Sequence, residues 1–378
     1  MKKGWIAVIL LFFLLFPVFA VRAEDGEDGV TEYFLSELPL KDLDAMSKEL
    51  LDEEGLSFSE MVGKLVKGEM PLGQETVKQL AVELFFGEAA RQKDTAVRIL
   101  LLLIGAGLFS TFAAFFEKSE IQNVTFFMIY LALFAILTAA FYQLSTLAEE
   151  TIGKLLSFMK LLMPSYLMVS VFSGNSISGM AFYELILGIL FLVQWIYKNA
   201  LLPGANLYFL LVLLNHLSGE DYLSKLAGLL KDLVEWALKS FSAAVLGIQA
   251  IQGLILPAVD GMKNTLLYKT GESIPVLGNL FGGVSEVVMG AGVLIKNGVG
   301  TAGLILLLLL CLAPAARLFL AGCMYRLLAA VAQPVTDKRL TDCLEGIGQG
   351  TLLLLKIVLG TGLLFFVSMA LALSATGK

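Results

Sequence analysis

The sequence predicts an all-α polytopic membrane protein. Two observations carry this. Hydrophobic residues make up 57% of the 378-residue chain and charged ones only 16%. The apolar residues also gather into runs near the roughly 20 residues that a helix needs to cross a hydrocarbon core about 30 Å thick. A mean hydropathy of +0.82 and 36 glycines match no ordinary soluble domain. Inside lipid every backbone polar group must be bonded internally, so the runs are read as helices, about eight to ten of them crossing.

The same composition excludes several functions. A net charge of −6 without a basic stripe argues against nucleic acid as a partner. Cys311, Cys323 and Cys343 lack metal-ligand spacing, and the chain has 1 His. A zinc site or a nucleophile–His–acid triad is therefore hard to assemble. No enzyme, metal or cofactor is expected.

The chain opens MKKGWIAVILLFFLLFPVFAVRAED. Lys2 and Lys3, an apolar stretch over 5–19 and Val21-Arg22-Ala23 read as a signal peptide over 1–23. The alternative is an uncleaved first span, and either one sends residue 24 onward across the membrane. Residues 24–95 form an acidic helical extracytoplasmic segment. Within it Ser57 and Glu60 fit a capping box, followed by apolar Met61, Leu65 and Val66. Pro71 and Gly73 break the pattern, and a second amphipathic run begins near Val77.

The multi-span domain covers 96–378. Apolar runs lie at 97–116, 124–148, 155–173, 177–197, 200–217, 240–258, 298–313, 315–332 and 350–374, with a glycine-rich stretch over 275–297. Residues 220–239 differ. Asp221, Lys225, Asp232, Glu235 and Lys239 share one helical face, and Leu223, Leu226, Leu230, Leu233 and Ala237 the other. This amphipathic helix is expected to lie in the interface plane or dock on a partner, or else to be a plain connector. One sequence offset relates Pro164 to Pro275, Pro203 to Pro314 and Gly179 to Gly290. That suggests an internal repeat near 155–258 and 272–374, although shared offsets among prolines and leucines also arise by coincidence.

The stretch GVGTAG (298–303) formally matches a dinucleotide fingerprint. It lacks the preceding strand and the acidic residue that such a site needs. Two membrane readings remain for Gly282, Gly283, Gly290, Gly292, Gly298, Gly300 and Gly303. Either they let helices touch closely, or they bend the backbone into a broken segment covered by protein or water. Lys296 and Asn297, amid these glycines, lean toward the second. Lys160, Glu184, Arg317, Arg326 and Lys356 stand in apolar runs, where an unpaired charge costs at least about 2.5–3.5 kcal/mol. Lys160 and Arg326 can snorkel to an interface. Glu184 cannot, and should face Arg317, Lys356 or a polar cavity. Such a group is either a structural ion pair or part of a polar conduit.

The signal sequence, LSFSEMVGKLVKGE (56–69), SGNSISG (173–179) and above all SIPVLGNLFGGVSEVVMGAGVLIKNGVGTAGLILLLLLCLAPAARL (273–318) resemble the stage III sporulation protein AE family of endospore-forming Firmicutes. The resemblance covers essentially the whole chain and carries no catalytic motif. It implies the large polytopic subunit of a multi-protein channel-like, secretion-like complex in the mother-cell membrane around the forespore. The implied partners are a secretion-type ATPase, ring-forming subunits and a forespore-side protein. A stand-alone secondary transporter and a non-conducting scaffold are the competing readings.

Overall fold

The computed structural model describes residues 38–51, 57–69, 74–113, 119–173, 177–217, 221–271 and 278–374. The expected signal peptide, residues 1–23, and the break at Pro71 and Gly73 lie outside the described residues. The elements are α1 (Lys41–Leu51), α2 (Phe58–Val66), α3 (Gln74–Ala113), α4 (Ser119–Phe172), α5 (Ile177–Ile196), a π-helical turn (Tyr197–Leu201), α6 (Leu202–Leu217), α7 (Ser224–Gly271), α8 (Gly278–Ala332) and α9 (Lys338–Ser374). Among the described residues there is no strand.

The all-α class stands, with fewer and longer elements than the apolar runs suggest. Four described stretches are long and apolar enough to cross a membrane: Phe127–Val171, Glu184–His216, Gly290–Ala332 and Lys338–Leu373. The runs 124–148 and 155–173 are one helix, α4. The intervening LAEETIGKLL is rich in good helix formers, and its charges find partners at the surface. Glu149 pairs with Lys198 at 3.3 Å and Lys154 with Glu49 at 3.0 Å. In the same way 298–313 and 315–332 merge through Pro314 into α8, and the amphipathic stretch 220–239 continues into 240–258 as α7. At Pro203 as well the runs 177–197 and 200–217 join, within the single stretch Glu184–His216. There the wider π-helical turn over Tyr197–Leu201 precedes a residue that cannot donate a backbone hydrogen bond.

The α8–α9 hairpin is the most extensive helix pair, and α4, α5, α6 and α7 pack around it. Over an apolar 18-residue window of α9 72% of the residues are buried, against 28% over that of α4. The most shielded span is thus enclosed by protein. Glycines allow this. A side chain at Gly303 would stand 2.6 Å from Leu162, one at Gly322 2.9 Å from Leu352, and one at Gly362 2.5 Å from the Cys311 thiol. A side chain at Gly300 would overlap Leu373.

The acidic N-terminal segment is fastened to this bundle. Ser57 and Glu60 form the expected capping box, with the Ser57 N–H donating to Glu60 at 2.9 Å and the Glu60 N–H to Ser57 Oγ at 3.2 Å. The Ser57 backbone N–H is the main influence holding the Glu60 carboxyl below its ordinary pKa. Ser59 donates from its backbone N–H at 2.7 Å and its hydroxyl at 2.9 Å to Asp44, tying α2 to α1. α2 buries Phe58, Met61, Val62 and Leu65, and a Cβ at Gly298 of α8 would come 2.9 Å from Val66. α1 lies on α4, where Ser165 donates to the Pro39 carbonyl at 3.4 Å.

The turn between α8 and α9 is seated on α3. Thr336 donates to the Leu103 carbonyl at 3.1 Å, and a Cβ at Gly107 would overlap the backbone oxygen of Val335. Backbone cannot swing aside as a side chain can. Gly107→Ala is expected to lower stability by about 1–3 kcal/mol. Gly105→Ala, with open space around it on the same helix, should change little. Thermal unfolding of the two variants in detergent compares them directly.

Candidate functional site

α7 lies beside α9 in the same direction, and polar side chains meet along their seam. Lys231 donates to Gln349 at 2.6 Å, and Lys356 donates to Glu235 at 2.7 Å. Farther along, Gln249 donates to the Ser368 hydroxyl. α5 and the π-helical turn close the seam from a third side. Tyr197 shares a 2.7 Å hydrogen bond with Ser242 and donates to the Leu238 carbonyl at 3.2 Å, and Thr361 donates to Gln194 at 2.8 Å. From Gln349 to Ser368 the axis of α9 runs roughly 28 Å at about 1.5 Å per residue, close to the thickness of a hydrocarbon core of about 30 Å. At the Gln349 end a cavity of about 350 Å³ opens between α6, α7 and α9, lined by Tyr208, His216, Lys231, Asp232, Asp342 and Glu345 among others.

These contacts place the charges differently from the sequence expectation. Glu184 lies on the exposed side of α5 and meets neither Arg317 nor Lys356. The buried face of α5, carrying Leu190 and Gln194 and leading to Tyr197, is the one turned to α9. Arg317 pairs with Glu88 of α3 at 3.7 Å, and its carbonyl accepts from Gln92 at 3.1 Å. Lys356 pairs with Glu235, which also holds Lys239 at 3.4 Å. Arg326 reaches Glu345 at 3.9 Å. Lys160 is exposed and stands 5.6 Å from the centre of the Phe191 ring, a cation–π arrangement. Lys296 is fully buried in α8 and Asn297 partly so.

The glycine-rich stretch is not broken. From Gly278 the backbone of α8 is one continuous helix that includes Gly282 and Gly283, so the bent-segment alternative is not the arrangement found. Gly290 is exposed with open space beside it, Gly292 is buried, and Gly298, Gly300 and Gly303 lie against neighbouring helices. GVGTAG sits inside that helix, so the strand and turn of a nucleotide fingerprint are absent here.

The amphipathic stretch also turns its faces unexpectedly. Leu226, Leu233 and Trp236 are exposed, as are Lys225, Asp232 and Lys239, whereas Ala227, Val234 and Leu238 are buried and Glu235 points into the seam. In a lipid-facing bundle the apolar stripe need not be the buried one. Asp221 belongs to the α6–α7 turn and accepts from Asn215 at 2.9 Å. Hydrogen bonds from Ser224 and then Asn215 hold its carboxyl below the ordinary range. Gln194, Ser242, Gln249, Thr361 and Ser368 are not among the residues that the sequence singles out. A signal existed, because Glu235, Ser242 and Gln249 recur at heptad spacing, which keeps one helical face.

Long apolar helices packed around a glycine-lined central hairpin define an all-α polytopic membrane protein. Residues 56–376 match the family described as stage III sporulation protein AE, so the chain belongs to that family, and with it to sporulation. It is 27% identical over 303 residues to the stage III sporulation protein AE of Bacillus subtilis (strain 168), covering 80% of this chain and 76% of that one. No solved structure matches it.

The Lys356–Glu235 pair is partly shielded, with 25% and 18% of the two side chains exposed. Glu235→Gln leaves the Lys356 ammonium without its carboxylate and is expected to cost about 1–3 kcal/mol. Adding Lys356→Met removes the stranded charge and should recover most of that loss. Unfolding midpoints of the single and double variants measure the difference.

Proposed function

We propose that the chain is the polytopic membrane subunit of a channel-like, secretion-like complex in the mother-cell membrane facing the forespore. The observation that carries this reading is the polar seam. Paired polar groups run along a helix interface about as long as a bilayer is thick, where each must be satisfied inside the protein, and a line of this kind supports a conduit role beyond holding helices together. The sequence has no nucleotide-binding motif, so energy would come from a partner such as a secretion-type ATPase.

The layout of the ends supports a two-sided role. Tyr130 of α4 donates to the Leu213 carbonyl near the α6–α7 turn, whereas Lys154 of the same helix pairs with Glu49 of α1. Those levels are roughly 36 Å apart along α4. The α1–α2 cap would face the space between the two membranes and ring-forming subunits there. The α6–α7 turn would face the mother-cell cytoplasm.

A second reading, a self-contained transporter, is favoured by the succession of two hairpins. α6 turns back into α7 and α8 into α9, with Pro203 and Pro314 at related places. Solute movement by the purified chain alone in liposomes would support that reading.

Affinity isolation of the tagged chain from sporulating cells tests the first reading. Other sporulation membrane proteins and an ATPase should come with it, and isolation of the chain alone would contradict it. Reporter fusions at residue 90 and at residue 220 should report opposite compartments, and one shared compartment would refute the orientation.

A further inference from the structure

Two amides in the seam are only half satisfied. Gln194 and Gln249 are 0% and 2% exposed. Gln194 Oε1 accepts from Thr361, and Gln249 Nε2 donates to Ser368. The remaining atoms, Gln194 Nε2 and Gln249 Oε1, are buried and reach no hydrogen-bond partner among the described residues. One is a donor and the other an acceptor. Buried polar atoms of this kind are normally met by ordered water.

Both hydroxyl partners are on α9, two turns apart. The single Thr361 proton goes to Gln194 Oε1, the nearer of its two acceptors, and the Ser368 proton goes to the Leu364 carbonyl. The separation of Thr361 and Ser368 is roughly 10 Å of helix axis, the length of a few water molecules at hydrogen-bond spacing of about 2.8 Å. At its two ends this part of the seam carries neutral amides and hydroxyls. Such groups offer both donors and acceptors, which a file of water can use in turn.

We propose that the seam between α5, α7 and α9 is a water-binding track, with a short file of water accepting from Gln194 Nε2 at one end and donating to Gln249 Oε1 at the other. Tyr197, bonded to Ser242 one turn along, stands at its margin. The track goes beyond membership of a complex. A dry seam would leave co-isolation with sporulation proteins unchanged, so the two ideas fail separately.

Radiolytic hydroxyl-radical labelling of the unsubstituted full chain in lipid bilayers provides the test, since radicals form where water is. Tyr197 and Tyr325 are 0% and 2% exposed, and Tyr325 lies on α8 away from the seam. Tyr197 should be oxidised several-fold faster than Tyr325. Equal, slow oxidation of the two overturns the proposal. In the Gln194→Met/Gln249→Met double variant the Tyr197 rate should fall to that of Tyr325. A Tyr197 rate that stays high there would show that water arrives without the two amides, which overturns the assignment equally.

Discussion

A polar side chain inside a membrane protein has only other protein to satisfy it, and α9 is where this chain meets that constraint. The helix is apolar enough to cross a bilayer, yet it is the most enclosed of the four crossing stretches. Its polar residues, Gln349, Lys356, Thr361 and Ser368, each find a partner on α7 or α5. Removing α9 from the centre would strand those groups and their partners together. The arrangement of α5, the π-helical turn and α7 around it follows from that need.

Glycine makes the enclosure possible. Close approach between helices supplies dispersion contacts where lipid offers no hydrophobic drive for association. The contacts at Gly300, Gly303 and Gly362 bring α8, α9 and α4 so close that a side chain there would make Leu373, Leu162 or Cys311 shift. Gly298 does the same for α2. The acidic N-terminal segment, which composition alone leaves with a thin core of its own, is therefore held by the bundle.

Much of this is legible in the residues. Apolar run length points to the all-α membrane class, and Ser57 with Glu60 marks the start of α2. What fails is the assumption that charge marks a loop. Glu149 and Lys154 interrupt an apolar pattern, which suggests a boundary there. They are ion-paired on the outside of α4, where the helix continues. The two faces of 220–239 are legible too, but not which of them meets the rest of the protein. Here Glu235 turns inward because Lys356 is there to meet it, while Leu226 and Leu233 are exposed. Run length also cannot tell one long helix from two short ones when proline is tolerated within it, as at Pro164 and Pro314.

The central claim is that protein, not lipid, surrounds α9. Photolabelling with an apolar carbene precursor dissolved in the bilayer tests it most directly, because such a reagent marks side chains that touch lipid tails. Label is expected on exposed apolar residues of the other crossing stretches, such as Met128 of α4 and Leu185 and Leu192 of α5, and almost none over residues 351–372 of α9. Labelling of that part of α9 as heavy as that of α4 would contradict the claim.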